Sequence, residues 1–374
     1  MNSLMIKKST ILLLVYIVLA FAFFFLMVEP ALNGKMDLRL WADSQTYIAY
    51  AQSYGEDQEL ITVNNNTLGP VVILRLLNHN NILVAVLNCF LFVLSFYLLI
   101  RSFDLNRLKF LSLLIINPML LASLTSVNKE ILGIFSVAVF ACYLENKNRL
   151  YLVPAFAFAL LARWPQLVIM VVFMILISRY YSLRKQRGLS LTLMILGISI
   201  AYPFMRDLAA LNPYYEGVQA YVAPQTQKAF GILDTLNMLQ ERYAFFLAVF
   251  PKVLINYVGN VPRVWDTLAG ASYLDYNDVF NTYIVLGHQL SMLFVLVLCV
   301  LQRRFTLRSN NVYFILFYSI FFSMFPLINY RTYLPIYLLF CLDLSRHKRV
   351  GAAGVSVAPV SSSIDRAGAS ALNA

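Results

Sequence analysis

Lys7-Lys8-Ser9-Thr10 leads into Ile11-Leu12-Leu13-Leu14-Val15-Tyr16-Ile17-Val18-Leu19-Ala20-Phe21-Ala22-Phe23-Phe24-Phe25-Leu26-Met27-Val28, and Glu29-Pro30 follows. No charge interrupts the run between Lys8 and Glu29. Its length is close to the ~20 residues a helix needs to cross a bilayer core. It exceeds the ~7–15 apolar residues of a signal-peptide core, and no small-x-small cleavage site follows, so it reads as an uncleaved first span.

The rest of the chain repeats the pattern. Of 374 residues, 60% are hydrophobic and only 13% are charged, more apolar surface than a soluble domain can hide from water. The expected fold is an all-α polytopic membrane protein of about ten spans, near 11–28, 82–100, 110–126, 131–144, 150–162, 166–178, 190–205, 281–301, 312–328 and 333–345. The net charge of +11 would suggest nucleic acid in a soluble protein. Here many of the positive residues fall in short loops between spans, where they set orientation, and nucleic-acid binding is rejected.

Those loops are consistent with one another. Lys7 and Lys8; Arg101, Arg107 and Lys109; Lys147 and Arg149; Arg179, Arg184, Lys185 and Arg187; Arg303, Arg304 and Arg308; and Arg346, Lys348 and Arg349 all fall on one side if the spans alternate. The positive-inside rule makes that side, and both termini, cytoplasmic. Residues 1–349 then form one transmembrane domain with outer segments at 29–81 and 206–278. Residues 350–374, rich in Ala, Ser, Gly and Val without periodicity, read as a disordered cytoplasmic tail.

Five ionisable sites remain beside spans on the outer side: Asp43, Lys129-Glu130, Arg163, Arg263 and Arg331. Charges converging on one face of a membrane protein point to a charged ligand. Asp43 can accept a proton from a hydroxyl or help hold a divalent cation, though Asp43-Ser44-Gln45-Thr46 also suits a helix N-cap. Asp43, Tyr47, Tyr50 and Tyr54 share one side of a helix, which suits a helix lying at the membrane surface. Glu130 could orient a substrate hydroxyl or complement the dipole of the helix it begins. Lys129 could meet a phosphate or mark the interface. Arg163 stands in a very short turn between apolar spans, and Arg331 stands between Tyr330 and Tyr333. Guanidinium forks fit phosphate oxygens, although an interfacial arginine can also merely reach for water. Arg263, in Pro262-Arg263-Val264-Trp265, is a weaker instance.

Other chemistry is not indicated. His79, His288 and His347 lack ligand spacing, so no metal site is expected, and His288, inside a span, should bond a neighbouring helix. Cys89, Cys142, Cys299 and Cys341 read as buried apolar residues. No nucleotide-binding loop is present. Phe245–Val258 is apolar but short, with Pro251 and Lys252 near its middle, and reads as a re-entrant or interfacial helix.

Three stretches resemble the GT-C superfamily of integral-membrane glycosyltransferases, in the branch of dolichyl-phosphate-mannose-type and aminoarabinose transferases. They are Asp43-Ser44-Gln45-Thr46-Tyr47-Ile48-Ala49-Tyr50-Ala51, Leu68-Gly69-Pro70-Val71-Val72-Ile73-Leu74-Arg75-Leu76-Leu77, and Tyr330-Arg331-Thr332-Tyr333-Leu334-Pro335-Ile336-Tyr337. The chain departs from the family pattern in having Ser44 where a second acid is common, in Thr332 between Arg331 and Tyr333, and in lacking a large soluble C-terminal domain. The resemblance implies a bacterial inner-membrane enzyme that moves a sugar from a polyprenyl-phosphate carrier to a glycan or lipid acceptor, with inversion. Asp43 would be the base, supported by Glu130. Tyr47, Lys129, Arg163, Arg263, Arg331 and Tyr333 would bind substrate. The rivals are an O-antigen or capsule repeat-unit polymerase using a lipid diphosphate, and a lipid-linked-sugar flippase.

Overall fold

The computed structural model describes residues 7–35, 42–53, 68–206, 231–259, 261, 264–265, 276–325 and 330–347. Every named element among them is helical, and one isolated bridge, Leu105 to Arg346, is the sole strand-type contact there.

In chain order the helices are α1 (Lys8–Leu32), α2 (Ala42–Ser53), α3 (Leu68–Leu76), α4 (Asn81–Ser102), α5 (Arg107–Ile115), α6 (Pro118–Thr125), α7 (Glu130–Asn146) and α8 (Arg149–Ala162). They continue with α9 (Trp164–Ile177), α10 (Arg187–Arg206), α11 (Gly231–Glu241), α12 (Phe245–Val258), α13 (Tyr276–Leu301), α14 (Asn310–Phe322) and α15 (Leu334–Ser345). A 3₁₀ turn, Tyr330–Tyr333, leads into α15. Each of the ten predicted spans overlaps a helix or helix pair, and residues 326–328 of the ninth lie outside the described residues. Four, in α1, α4, α10 and α13, are long and apolar enough to cross a membrane, and the α5–α6 pair would make a fifth. The others are shorter, so the structure supports a membrane protein with four or five such helices and leaves ten as a finer reading.

Span three needs correction. The sequence predicts one span over 110–126, but α5 and α6 meet at 79°. The cause is Asn117-Pro118. Proline has no N–H and its ring collides with the carbonyl four residues back, so inside a helix it kinks or breaks the run. It is instead the first residue of α6, and the Asn117 side chain accepts the Met119 N–H at 3.1 Å. The break is bonded to α13. Asn117 Nδ2 lies 2.8 Å from His288 Nδ1, and Ser291 Oγ donates to Gly287 O at 2.8 Å and to Ile116 O at 3.4 Å. Polar groups freed by a helix break within a membrane need such partners. Gly287 permits the approach, because a Cβ there would stand 2.6 Å from the Pro118 ring. His288 thus does bond a neighbouring helix.

Two helices form the centre. In α7 nearly every residue is buried, and in α15 every one is. A helix apolar all round belongs inside a bundle. α7 packs mainly on α4 and α8, while α15 packs on α5, α7 and α13. The core is rich in rings, with Phe173 against Phe140, Tyr313, Phe314 and Phe317. The four cysteines are free and buried.

α3 bears closely on α8. A Cβ added at Gly69 would lie 1.9 Å from Leu161 O, a backbone atom that cannot move aside. Gly69→Ala is expected to cost about 1–3 kcal/mol through overpacking. Thermal unfolding of the purified protein checks this, since an unchanged midpoint would mean that α3 does not bear on α8.

Candidate functional site

The loop Ser126-Val127-Asn128-Lys129 joins α6 to α7 and is held from several sides. Asn88 on α4 donates through Nδ2 to Ser126 O at 3.1 Å. Asn128 Nδ2 donates to Ser123 O at 2.8 Å and to Ser126 Oγ at 2.8 Å, while its Oδ1 accepts the Glu130 N–H at 2.9 Å. That bond satisfies one of the free donors at the start of α7. The Lys129 N–H in turn reaches Glu130 Oε2 at 3.1 Å.

Glu130 and Arg163 form an ion pair at 2.8 Å with both side chains buried, 2% and 5% exposed. Arg163 links α8 to α9 in extended backbone, with its N–H on Ala159 O at 2.8 Å and its carbonyl accepting from Gln166 N at 2.9 Å. It does not reach out to water, as an interface marker would. Its Nη2 is bonded to Glu130, but its Nη1 has no hydrogen-bond partner among the described residues, and neither has the buried Gln166 Oε1. Gln166 otherwise clamps α9 to α7 by donating to Gly133 O at 3.1 Å.

Further charges act on the same carboxylate. After Arg163, the fields of Arg331 and then Lys129 reach Glu130. Arg331 comes from the 3₁₀ turn before α15, so the fields of cations from three separate segments reach one acid.

Tyr318 on α14 supports this arrangement. Its hydroxyl donates to Thr332 O at 3.0 Å, which fixes the turn that carries Arg331, and the charges of Arg163 and Glu130 both reach it. Tyr333 is buried, with its hydroxyl directed to Ser319 O at 3.4 Å and its ring 5.2 Å from that of Tyr257. Its place is therefore beneath the turn. Lys252 of α12 is also buried, bonded to Gln240 and to Phe325 O, the latter at 3.3 Å.

α2 docks at the same end. Ser44 Oγ donates to Val127 O at 2.8 Å, three residues before Glu130. Tyr47 and Ala51 are buried with Val71, Leu74, Val84 and Val127. So Tyr47 packs inward, while Tyr50 is half-buried and packs against this cluster. Because α2 begins at Ala42, Asp43 falls inside its first turn and not at its cap. The Asp43 side chain lies outside the described residues, as do Tyr54, Arg263 and the predicted tail.

The structure thus joins Lys129, Glu130, Arg163 and Arg331, and brings the backbone of Asp43 to the same loop. Sequence reading missed Tyr318, Gln166 and Asn128. No spacing flags the first two, because their neighbours come from other helices, but Asn128 two residues before an acid at a helix start is a recognisable capping signal. Among the described residues no group of three or more His, Cys, Asp or Glu side chains gathers as a metal site. No protein-family model, curated protein or solved structure matches the chain.

Proposed function

We propose that this protein is a membrane glycosyltransferase that moves a sugar from a polyprenyl-phosphate carrier to a glycan or lipid acceptor on the extracytoplasmic face, in a ten-span arrangement with both termini inside. The observation that carries the reading is the buried Glu130–Arg163 pair, whose Arg163 Nη1 has no hydrogen-bond partner among the described residues, together with the fields of Arg331 and Lys129 at the same carboxylate. The resemblance of the segments around Asp43 and Arg331 to GT-C transferases supports it, as does the docking of α2 on the Val127 loop.

The chemistry follows from the residues. An acceptor oxygen attacks the anomeric carbon from the face opposite the phosphate, and the configuration inverts. Its proton passes to the Asp43 carboxylate. The bond from the anomeric carbon to the phosphate oxygen breaks, and the electron pair leaves on polyprenyl phosphate. Arg331 and Arg163 meet the charge that grows on that oxygen, and donors placed before the reaction stabilise it without reorganising. Glu130 fixes Arg163 in position.

A second reading, a repeat-unit polymerase acting on a lipid diphosphate, is supported by one feature: two arginines, Arg163 and Arg331, act on Glu130. The two readings differ in their need for Asp43. Transfer from a polyprenyl-phosphate sugar by the purified protein tests the first of them. Arg331→Ala should raise KM for the donor about tenfold and leave KM for the acceptor within about twofold, because a charge-assisted hydrogen bond contributes roughly 1.5–3 kcal/mol. Equal losses for both substrates would contradict the assigned role.

A further inference from the structure

A second charged hollow lies at the other end of the molecule. Arg184, Lys185, Gln186, Arg187, Gly188, Leu189, Leu307 and Arg308 line a cavity of about 510 Å³. Four of these residues are cations and none is acidic. The site is distinct from the Glu130 cluster. Arg187 and Arg184 act on Lys147, which caps the far end of α7. Seventeen residues of α7 separate that end from Glu130, a rise of roughly 25 Å.

Arg187 builds the floor. It donates to Leu307 O at 2.7 Å, to Arg308 O at 3.0 Å and to Asn310 Oδ1, and its guanidinium lies 5.1 Å from the centre of the Tyr313 ring. Topology alone needs only positive charge in a loop. It does not need an arginine fixed by three acceptors and a ring. The charge it brings has no carboxylate partner in the cavity. At Lys147, burial first, and then Arg184 and Arg187 against the opposing Glu145, hold the ammonium below its ordinary value. Arg184, Lys185 and Arg308 are exposed and line the cavity.

The surroundings decide between a soluble anion and a lipid. Leu189 lines the cavity and begins an exposed apolar stripe on α10 that continues through Leu193, Leu196, Ile200 and Phe204. The stripe runs down the helix from the basic rim, as acyl chains do from a headgroup. Basic pockets between membrane helices on the cytoplasmic side hold anionic headgroups in this way.

We propose that this cavity binds the phosphate of an anionic membrane phospholipid, with Arg184, Lys185 and Arg308 around the headgroup and the acyl chains along Leu189, Leu193 and Leu196. The site is independent of the outer-face chemistry.

The test uses the full-length protein in nanodiscs of phosphatidylcholine alone or with phosphatidylglycerol. The variant carries Arg184→Gln, Lys185→Gln and Arg308→Gln, all at exposed positions, and keeps Arg187. Phosphatidylglycerol should raise the Tm of the wild type by several degrees and leave the variant unmoved, and native mass spectrometry should find bound phosphatidylglycerol retained at least fivefold more by the wild type. A variant with equal Tm shift and equal retention overturns the site. Inorganic phosphate at millimolar concentration should give no shift. An equal shift from inorganic phosphate overturns the lipid assignment in favour of a soluble anion. If the variant fails to fold in phosphatidylcholine, Arg308→Gln alone replaces it, judged by the same retention measurement.

Discussion

Arg163→Ala is expected to destabilise the protein by about 3–5 kcal/mol, the usual cost of leaving one member of a buried ion pair without the other. Glu130 would then be a carboxylate with almost no exposure and without its 2.8 Å partner. Arg331 and Lys129 would still act on it, but fields alone do not replace the hydrogen bond that Arg163 makes. Equilibrium unfolding in mild detergent measures the loss. Adding Glu130→Gln should restore most of it, because a neutral amide bears burial far better than an unpaired charge. That double variant should remain inactive, since the cation that meets the leaving phosphate is gone. A single variant as stable as the wild type would mean that the pair is open to water. A double variant that recovers activity along with stability would mean that the pair serves only the fold.

Asp43→Asn is expected to reduce transfer by at least 10²-fold, the lower end of what a positioned general base contributes. The amide keeps the size of the side chain and cannot take the acceptor proton. Stability should be nearly unchanged, because Ser44 on Val127 O and Tyr47 and Ala51 in their apolar cluster hold α2. Glycan profiling of cells that carry only the variant gives the readout, and unchanged glycan would remove Asp43 from the mechanism. If Arg163 and Arg331 prove essential while Asp43 does not, the polymerase reading takes its place.

The helices were legible because apolar runs bounded by charge and by Asn or Pro mark span ends directly. α4 begins after Asn80, whose side chain accepts from Ile82 N and Leu83 N, and α8 ends at Ala162, with Arg163 as its C-cap just before Trp164-Pro165. The bend at Asn117-Pro118 was legible too, and averaging hydropathy over 110–126 hid it. Less could be read of the site. Arg163 stood out as an arginine where an apolar turn needs none, but its pairing with Glu130 joins residues 33 apart, and sequence spacing says nothing of which helix faces which. Tyr47 looked like an interface aromatic and Tyr333 like a substrate ligand beside Arg331, because side-chain type cannot tell a ring at a surface or a site from one in a core. The helical side shared by Asp43, Tyr47 and Tyr50 was a sound pattern, and the inward packing of Tyr47 came from α3 and the Val127 loop, which the pattern does not contain.

The account rests on the cluster around Glu130 being a receptor for a lipid-borne phosphate. Binding of a short-chain polyprenyl phosphate to the purified protein in phosphatidylcholine nanodiscs, wild type against Arg331→Gln, tests that most directly, because Arg331→Gln leaves the Glu130–Arg163 pair intact. The account predicts saturable binding that weakens at least tenfold in the variant and further at high salt. Binding of equal strength in both proteins, or none in either, would contradict it.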